Sequence, residues 1–317
     1  MVHNTNVGVY IQSIGLILRE GTFIDKRKIT QIKWNADKIT RHISYVVKTH
    51  SKSLHPLDVE GFQSINKNLD IIKKSTDSQQ LRLAFQGVKN TFAQIYSQSI
   101  AYLLRHPEPP EDGYTDAASS TLSNKGTKEA AKFSEYLAEE VLLCPKKVRV
   151  HIFYSTKART ELFGKFIMYK MNQLRAMHEK EVEVDFAPAA LPLMRSSVVK
   201  DLMDEYEEFR VLANGIKTQG MNKADRALSM KYFLLWSRKF ESARNYATQI
   251  LELLTQATDQ DSSNEWNIFI YITHNHSFIP VTMHVLQKGL TECLVQTAEY
   301  IKKQGNGLNY RGNWYEI

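Results

Sequence analysis

Two cysteines, Cys144 and Cys293, are too few for a disulfide scaffold, and they lack metal-ligand spacing. Both read as buried apolar residues. No stretch approaches the roughly 18 consecutive apolar residues of a membrane-spanning helix. Met1 to Tyr10 lacks the basic region and apolar core of a secretory leader. These absences lead us to expect a soluble, cytoplasmic protein with no membrane span. There is no internal repeat and no low-complexity tract, which argues against repeat and fibrous architectures.

What is present is ordinary for a globular chain: 317 residues, 43% hydrophobic, 24% charged and 10% aromatic, enough for one large core plus an accessory segment. The net charge of +7 is unevenly placed. Residues 1–95 hold 14 Lys/Arg against 7 Asp/Glu, and the remainder balances at 27 against 27. Lysine-rich helical faces are ordinarily solvated surfaces, so nucleic acid is not the expected partner.

Residues 1–95 read as mainly helical. The apolar start Val7, Val9, Ile11, Ile14, Leu16, Ile17 and Leu18 suits a strand or hairpin. After Asp25, a plausible N-cap, Ile32, Ala36, Ile39, Ile43 and Val46 recur at helical spacing. His55-Pro56 breaks this helix. A second stripe follows through Phe62, Ile65, Leu69 and Ile72, and a third runs from Asp77 through Leu81, Phe85, Val88, Phe92 and Ile95. Such stripes must be buried on one another, on the following domain or on a second copy in a homo-oligomer. From Ile100 the pattern turns to strands alternating with helices. Strands are expected at Ile100–Leu104, Val148–Tyr154, Val182–Phe186 and Ile268–Thr273, and helices at Asn124–Leu143 and Lys157–Leu174. A long, largely helical stretch is expected over 197–254, a helix over Pro280–Lys303, and a loop or short edge element over 305–317. The expected fold is α/β: a three-layer, mostly parallel sheet flanked by helices, with a helical N-terminal extension (1–95) ahead of a catalytic domain (96–317).

In open α/β sheets, catalytic groups collect beyond the carboxyl ends of the strands. Three strand ends here carry such groups: Leu104-Arg105-His106-Pro107-Glu108, then Ser155-Thr156-Lys157-Ala158-Arg159-Thr160, then Thr273-His274-Asn275-His276. Two arginines and two histidines can surround one tetrahedral dianion, and the planar guanidinium binds phosphate oxygens bidentately without losing its charge.

Over roughly residues 98–303 the sequence resembles the histidine phosphatase superfamily, which includes cofactor-dependent phosphoglycerate mutases and many phosphomonoesterases. Four features carry the likeness: Arg105-His106 after a strand; Thr121-Leu122-Ser123-Asn124-Lys125-Gly126 opening a helix with Glu129-Ala130-Ala131; Ser155 followed four residues on by Arg159; and His274 at the last strand end. The resemblance implies that His106 is the nucleophile, that Arg105 and Arg159 clamp the phosphate, and that His274, ranked above His276, completes the pocket. It implies phosphomonoester hydrolysis through a phosphohistidine, with no metal and no cofactor, on a phosphorylated substrate. A mutase of the same chemistry is the alternative. Pro107 stands where the family commonly has glycine and offers no backbone N–H, which favours a further alternative, a weakly active phospho-ligand-binding or scaffold protein. Asn275 follows the second histidine, where glycine or aspartate is usual. The general acid is sought among Glu108, Asp201, Asp204 and Glu205. Ser155 reads as an N-cap of the next helix.

Overall fold

The structure, a computed structural model, describes residues 6–19, 24–109, 122–155, 157–188, 207, 211, 223–260, 262, 264–289, 292–293 and 296–317. Local signals start the N-terminal helices. Asp25 accepts from the Lys28 amide at 2.8 Å and opens α2 (Lys26–His50), whose Ile32, Ala36, Ile39, Ile43 and Val46 are fully buried on one face. Pro56, in the first turn, suits the start of α3 (Pro56–Lys74), because the missing N–H is one the helix does not use there. Asp77 caps α4 (Ser78–Ile95) through the Gln80 amide.

The apolar start is neither strand nor hairpin. It forms α1 (Val7–Ile17), with Asn6 Oδ1 accepting from the Gly8 amide. Val7, Ile11, Ile14 and Leu18 lie at helical spacing and are all buried. One apolar face docked on neighbouring helices outweighs the β-propensity of valine and isoleucine.

The second part is, among the described residues, a mixed seven-stranded sheet. Its strands are β1 (Ile100–Arg105), β2 (Lys147–Tyr154), β3 (Val182–Pro188), β4 (Glu265–Thr273), β5 (Tyr300–Gln304), β6 (Gly307–Tyr310) and β7 (Asn313–Glu316), in the order β3-β2-β4-β1-β5-β6-β7. The pairs within β3-β2-β4-β1 are parallel, and β5, β6 and β7 continue antiparallel. The helices between are α5 (Asn124–Leu143), α6 (Ala158–His178), α7 (Lys223–Lys239), α8 (Glu241–Thr258) and α9 (Asn275–His284). The described part of the stretch expected to be helical over 197–254 falls in α7 and α8.

Alternation along the strands divides the core into two layers. Ile100, Tyr102, Leu104, Ile268, Ile270 and Ile272 face one cluster with α1–α6; Ala101, Leu103, Phe269 and Tyr271 face another with α7–α9. The apolar stripes of the N-terminal helices are thus covered within the chain, each fully buried Ile or Phe contributing about 1.5–3 kcal/mol. Among the described residues no helix is long and apolar enough to cross a membrane.

The expected helix over Pro280–Lys303 is a correction. α9 ends at His284, and Tyr300–Gln304 pairs with β1 instead. Lys302 of β5 is buried, its ammonium 2.6 Å from Glu140 Oε1 on α5. Glu140 Oε2 also accepts from the Tyr102 hydroxyl at 2.5 Å. A lysine in a core strand is tolerable only with such a partner, and no local pattern reveals one.

Candidate active site

Strands β1, β2 and β4 are neighbours running the same way, and Arg105, Thr273 and Tyr154 end in near-register. Main-chain pairing continues one residue past two of them: the His106 amide donates to Thr273 O at 3.0 Å and the Ser155 amide to Ile272 O at 3.1 Å. The loops after the three strands therefore open at one edge of the sheet, where His106 and His274 meet edge to face with ring centroids 4.9 Å apart. Both rings are buried, and His276 lies 5.3 Å beyond His274.

The ring of His106 is oriented by its own loop, its Nδ1 lying 2.7 Å from Pro107 O. A carbonyl only accepts, so Nδ1 carries the proton and the lone pair of Nε2 is left unprotonated. Burial, then the Arg159 guanidinium, pushes the imidazole down to about 3, with Arg105 and His276 adding to this and the Pro107 carbonyl opposing it. His274 is held well below the usual histidine range by burial and by its neighbours His276, His106 and Arg159. His276 is pushed down by burial to about 4. All three rings are neutral at neutral pH.

Arg105 closes β1, and Arg159 lies in the first turn of α6, both half-buried. The N-caps of α6 and α9, Lys157 and His274, make no side-chain capping bond. Two helix N-termini thus open beside the histidines with their first amides uncapped from within, a positive environment for an anion.

Ser155 does not cap α6. Its Oγ lies 2.8 Å from His274 Nε2 and 3.1 Å from Thr160 Oγ1, while Thr160 Oγ1 donates to the carbonyls of Ser155 and Lys157. Whichever way the serine proton points, this bond fixes the plane of the His274 ring. A partner 119 residues away competes successfully with the local amide.

The phrase opening α5 fastens the nucleophile loop. Ser123 Oγ accepts from the Gly126 amide at 2.9 Å, and the Ser123 amide donates to Glu108 O at 3.2 Å. A β-carbon at Gly126 would stand 2.1 Å from that same Glu108 oxygen, so only glycine permits the approach. Glu129 Oε2 accepts from the Glu108 amide and Glu129 Oε1 from Thr297 Oγ1. Ala298, in the left-handed conformation at φ 58°, donates its amide to His106 O at 3.4 Å. Sequence reading missed the parts played by Glu129, Thr297 and Ala298, which are far apart along the chain.

Of the four candidate acids, Glu108 is held ionised by the Lys125 ammonium at 3.0 Å, with Ser123 Oγ also donating to it, and its carboxyl lies below the usual carboxylate range. That makes it a poor proton donor at neutral pH. Asp201, Asp204 and Glu205 lie outside the described residues, as do Thr121 and Thr156. Among the described residues no group of three or more His, Cys, Asp or Glu could hold a metal ion.

Phosphatases and a mutase are among the solved structures that match the chain. A phosphoserine phosphatase mutant from Entamoeba histolytica shares 13% identity over 69% of this chain and 95% of its own, with a TM-score of 0.31. A phosphoglycerate mutase from Bacillus anthracis shares 11% identity over 70% and 92%, at 0.34. A mycobacterial glucosyl-3-phosphoglycerate phosphatase shares 12% over 69% and 97%, also at 0.34. No protein-family model and no curated protein matches. At these identities and scores the functional reading rests on the side chains themselves.

Proposed function

We propose that the chain is a phosphomonoester hydrolase of the histidine phosphatase type, working through a phosphohistidine at His106 without a metal. The observation that carries this is the buried, neutral His106 ring, its Nδ1 bonded to Pro107 O and its Nε2 unprotonated, beside Arg105 and Arg159. Nε2 attacks phosphorus, the P–O bond to the leaving group breaks, and the departing oxygen takes a proton from an acid or, where it is a good leaving group, from water. The guanidinium groups and the uncapped helix starts neutralise charge on the equatorial oxygens, and the neutral His274 ring lines the pocket beside them. Water then attacks the phosphoryl group, the N–P bond breaks, and its electron pair returns to Nε2 with release of phosphate. Pro107 does not weigh against this, because the group used is its carbonyl and not the N–H it lacks. The free, buried Cys144 and Cys293 fit a reducing compartment, the cytoplasm.

The test is to quench the protein during turnover of an aryl phosphate and examine the trapped label. An acid-labile, base-stable phosphoryl group on His106 is expected. A base-labile ester, or activity that a chelator removes reversibly, overturns the reading.

A further inference from the structure

Pro107 has no N–H, so the first main-chain donor after the Arg105-His106 pair is the amide of Glu108. That N–H belongs to the same peptide unit as the Pro107 carbonyl. The unit is planar and trans, so its C=O and N–H point to opposite sides. A side chain holds each end: the oxygen lies 2.7 Å from His106 Nδ1, and the nitrogen donates to Glu129 Oε2 at 3.0 Å. A carboxylate and an imidazole thus face each other across one peptide plane. Rotating the plane weakens both bonds together.

Glu129 is itself fixed. It lies on α5, and its Oε1 accepts from Thr297 Oγ1 at 2.8 Å, while Lys125 Nζ stands 3.8 Å away. The segment carrying Thr297 grips the nucleophile strand from the other side. Glu299 O accepts from the Arg105 amide at 2.9 Å, and the Ala298 amide donates to His106 O at 3.4 Å. A closed circuit therefore runs from His106 O through Ala298, Thr297, Glu129 and the Glu108 amide back to His106 Nδ1. The Glu108 carbonyl, held by the Ser123 amide, stops the turn from shifting as a whole.

A carboxylate needed only to steady the loop could accept from any of its amides. This one accepts from the single peptide whose other end orients the imidazole. Hydrogen bonds in a chain polarise one another, so a carboxylate on the N–H makes the C=O a stronger acceptor for the Nδ1 proton. The proton stays on Nδ1, and the lone pair stays on Nε2.

We infer that Glu129 is a positioning residue: through the Pro107-Glu108 peptide it fixes the tautomer and ring plane of His106 and so strengthens Nε2 as a nucleophile. It touches neither substrate nor the reacting atoms. The kinetic consequence rests on the proposed hydrolysis, whereas the tautomer does not.

Two readouts on the full chain test this. Glu129→Leu keeps the bulk of the side chain and removes both acceptors, and Glu129→Gln keeps one for the Glu108 amide. Ring-nitrogen resonances of His106 should show the Nδ1–H tautomer alone in the parent protein, both tautomers in Glu129→Leu, and the single one restored in Glu129→Gln. With an aryl phosphate, Glu129→Leu should lower kcat about ten- to a hundredfold and leave KM within about twofold, and Glu129→Gln should regain most of the loss. The expected fall is short of the ~10⁴ lost where a carboxylate bonded directly to a catalytic imidazole is neutralised, because a peptide intervenes here. Thr297→Val, which releases the carboxylate on its far side, should move both readouts the same way by less. A folded Glu129→Leu protein with the His106 ring unchanged overturns the inference, as does lost thermal stability with kcat per folded molecule intact. If Glu129→Leu does not fold, a Thr297→Val protein with the parent tautomer and the parent kcat overturns it. A parent protein that forms no phosphohistidine removes the proposed hydrolysis instead, and the tautomer comparison still decides the role of Glu129.

Discussion

Burial neutralises charge in two different ways in this molecule. Behind β1 and β5, Lys302 and Glu140 remain a pair, 2.6 Å apart, with the Tyr102 hydroxyl completing the carboxylate. At the carboxyl ends of β1 and β4, His106, His274 and His276 pair with no carboxylate among the described residues; burial holds all three neutral, helped at His106 and His274 by Arg159. A paired charge has its valence satisfied and serves structure. A ring kept neutral by its surroundings retains a lone pair, and beside arginines that lone pair is available for chemistry.

The contrast is sharpest where one substitution removes function and the other removes stability. His106→Ala should reduce phosphate release to background while thermal unfolding moves by no more than a few degrees; activity within tenfold of the parent protein would break the assignment. Lys302→Ala should do the reverse, costing about 3–5 kcal/mol because Glu140 is left buried and unpaired. Chemical denaturation should show that loss, and activity per folded molecule should be unchanged. A stable Lys302→Ala protein would mean that the pair is not the structural half of the comparison.

Arg159→Ala should cost about 2–4 kcal/mol of transition-state stabilisation, by analogy with the loss of one preorganised donor. Steady-state kinetics on an aryl phosphate measure it, and a change in KM alone would reduce Arg159 to substrate binding.

The histidines also set a pH dependence with a definite sign. Their folded values lie below the ordinary 6.5, so the unfolded chain binds more protons as pH falls through 6.5. The contribution to stability is complete above pH 6.5 and declines on acidification toward pH 4 and 3, by up to ~1.4 kcal/mol per pH unit per histidine. Denaturant midpoints at pH 7.5 and 5 should show the drop in the parent and a shallower one in His276→Gln. Resonances of the His106 ring should show no protonation midpoint between pH 5 and 8; one near 6.5 would remove the basis for its neutrality.

Ser155→Ala should have the smallest effect, since the serine touches His274 and not the reacting atoms: a several-fold fall in kcat, with Ser155→Thr restoring most of it. Loss of stability without any change in kcat would return Ser155 to a purely structural role.

Much of the fold was legible because the signals that make helices lie within one helix. The Asp25 and Asp77 caps, and stripes such as Ile32, Ala36, Ile39, Ile43 and Val46, fall inside windows of a few turns, and α5 begins and ends where its pattern does. The positions of Arg105, His106, Ser155 and His274 at strand ends were legible for the same reason, since each follows directly on its apolar run, and Arg159 lies five residues past β2, at the start of the next helix. Partners far apart in sequence were not legible. β5 was read as the end of a helix, and Glu140, the partner that lets Lys302 lie buried in this strand, is 162 residues away and leaves no trace beside it. Ser155 looked like a cap because His274 is just as remote.

The sequence by itself determined the helical periods, the alternating strands and the order of the basic and imidazole side chains at their ends. Only the tertiary structure decided which ring nitrogen bears the proton, which hydroxyl holds the second histidine, and that Glu129 and Thr297, 168 residues apart, share one hydrogen bond. Periodicity is a property of neighbours along the chain, whereas burial and hydrogen-bond partnership arise only when the sheet brings distant segments into register.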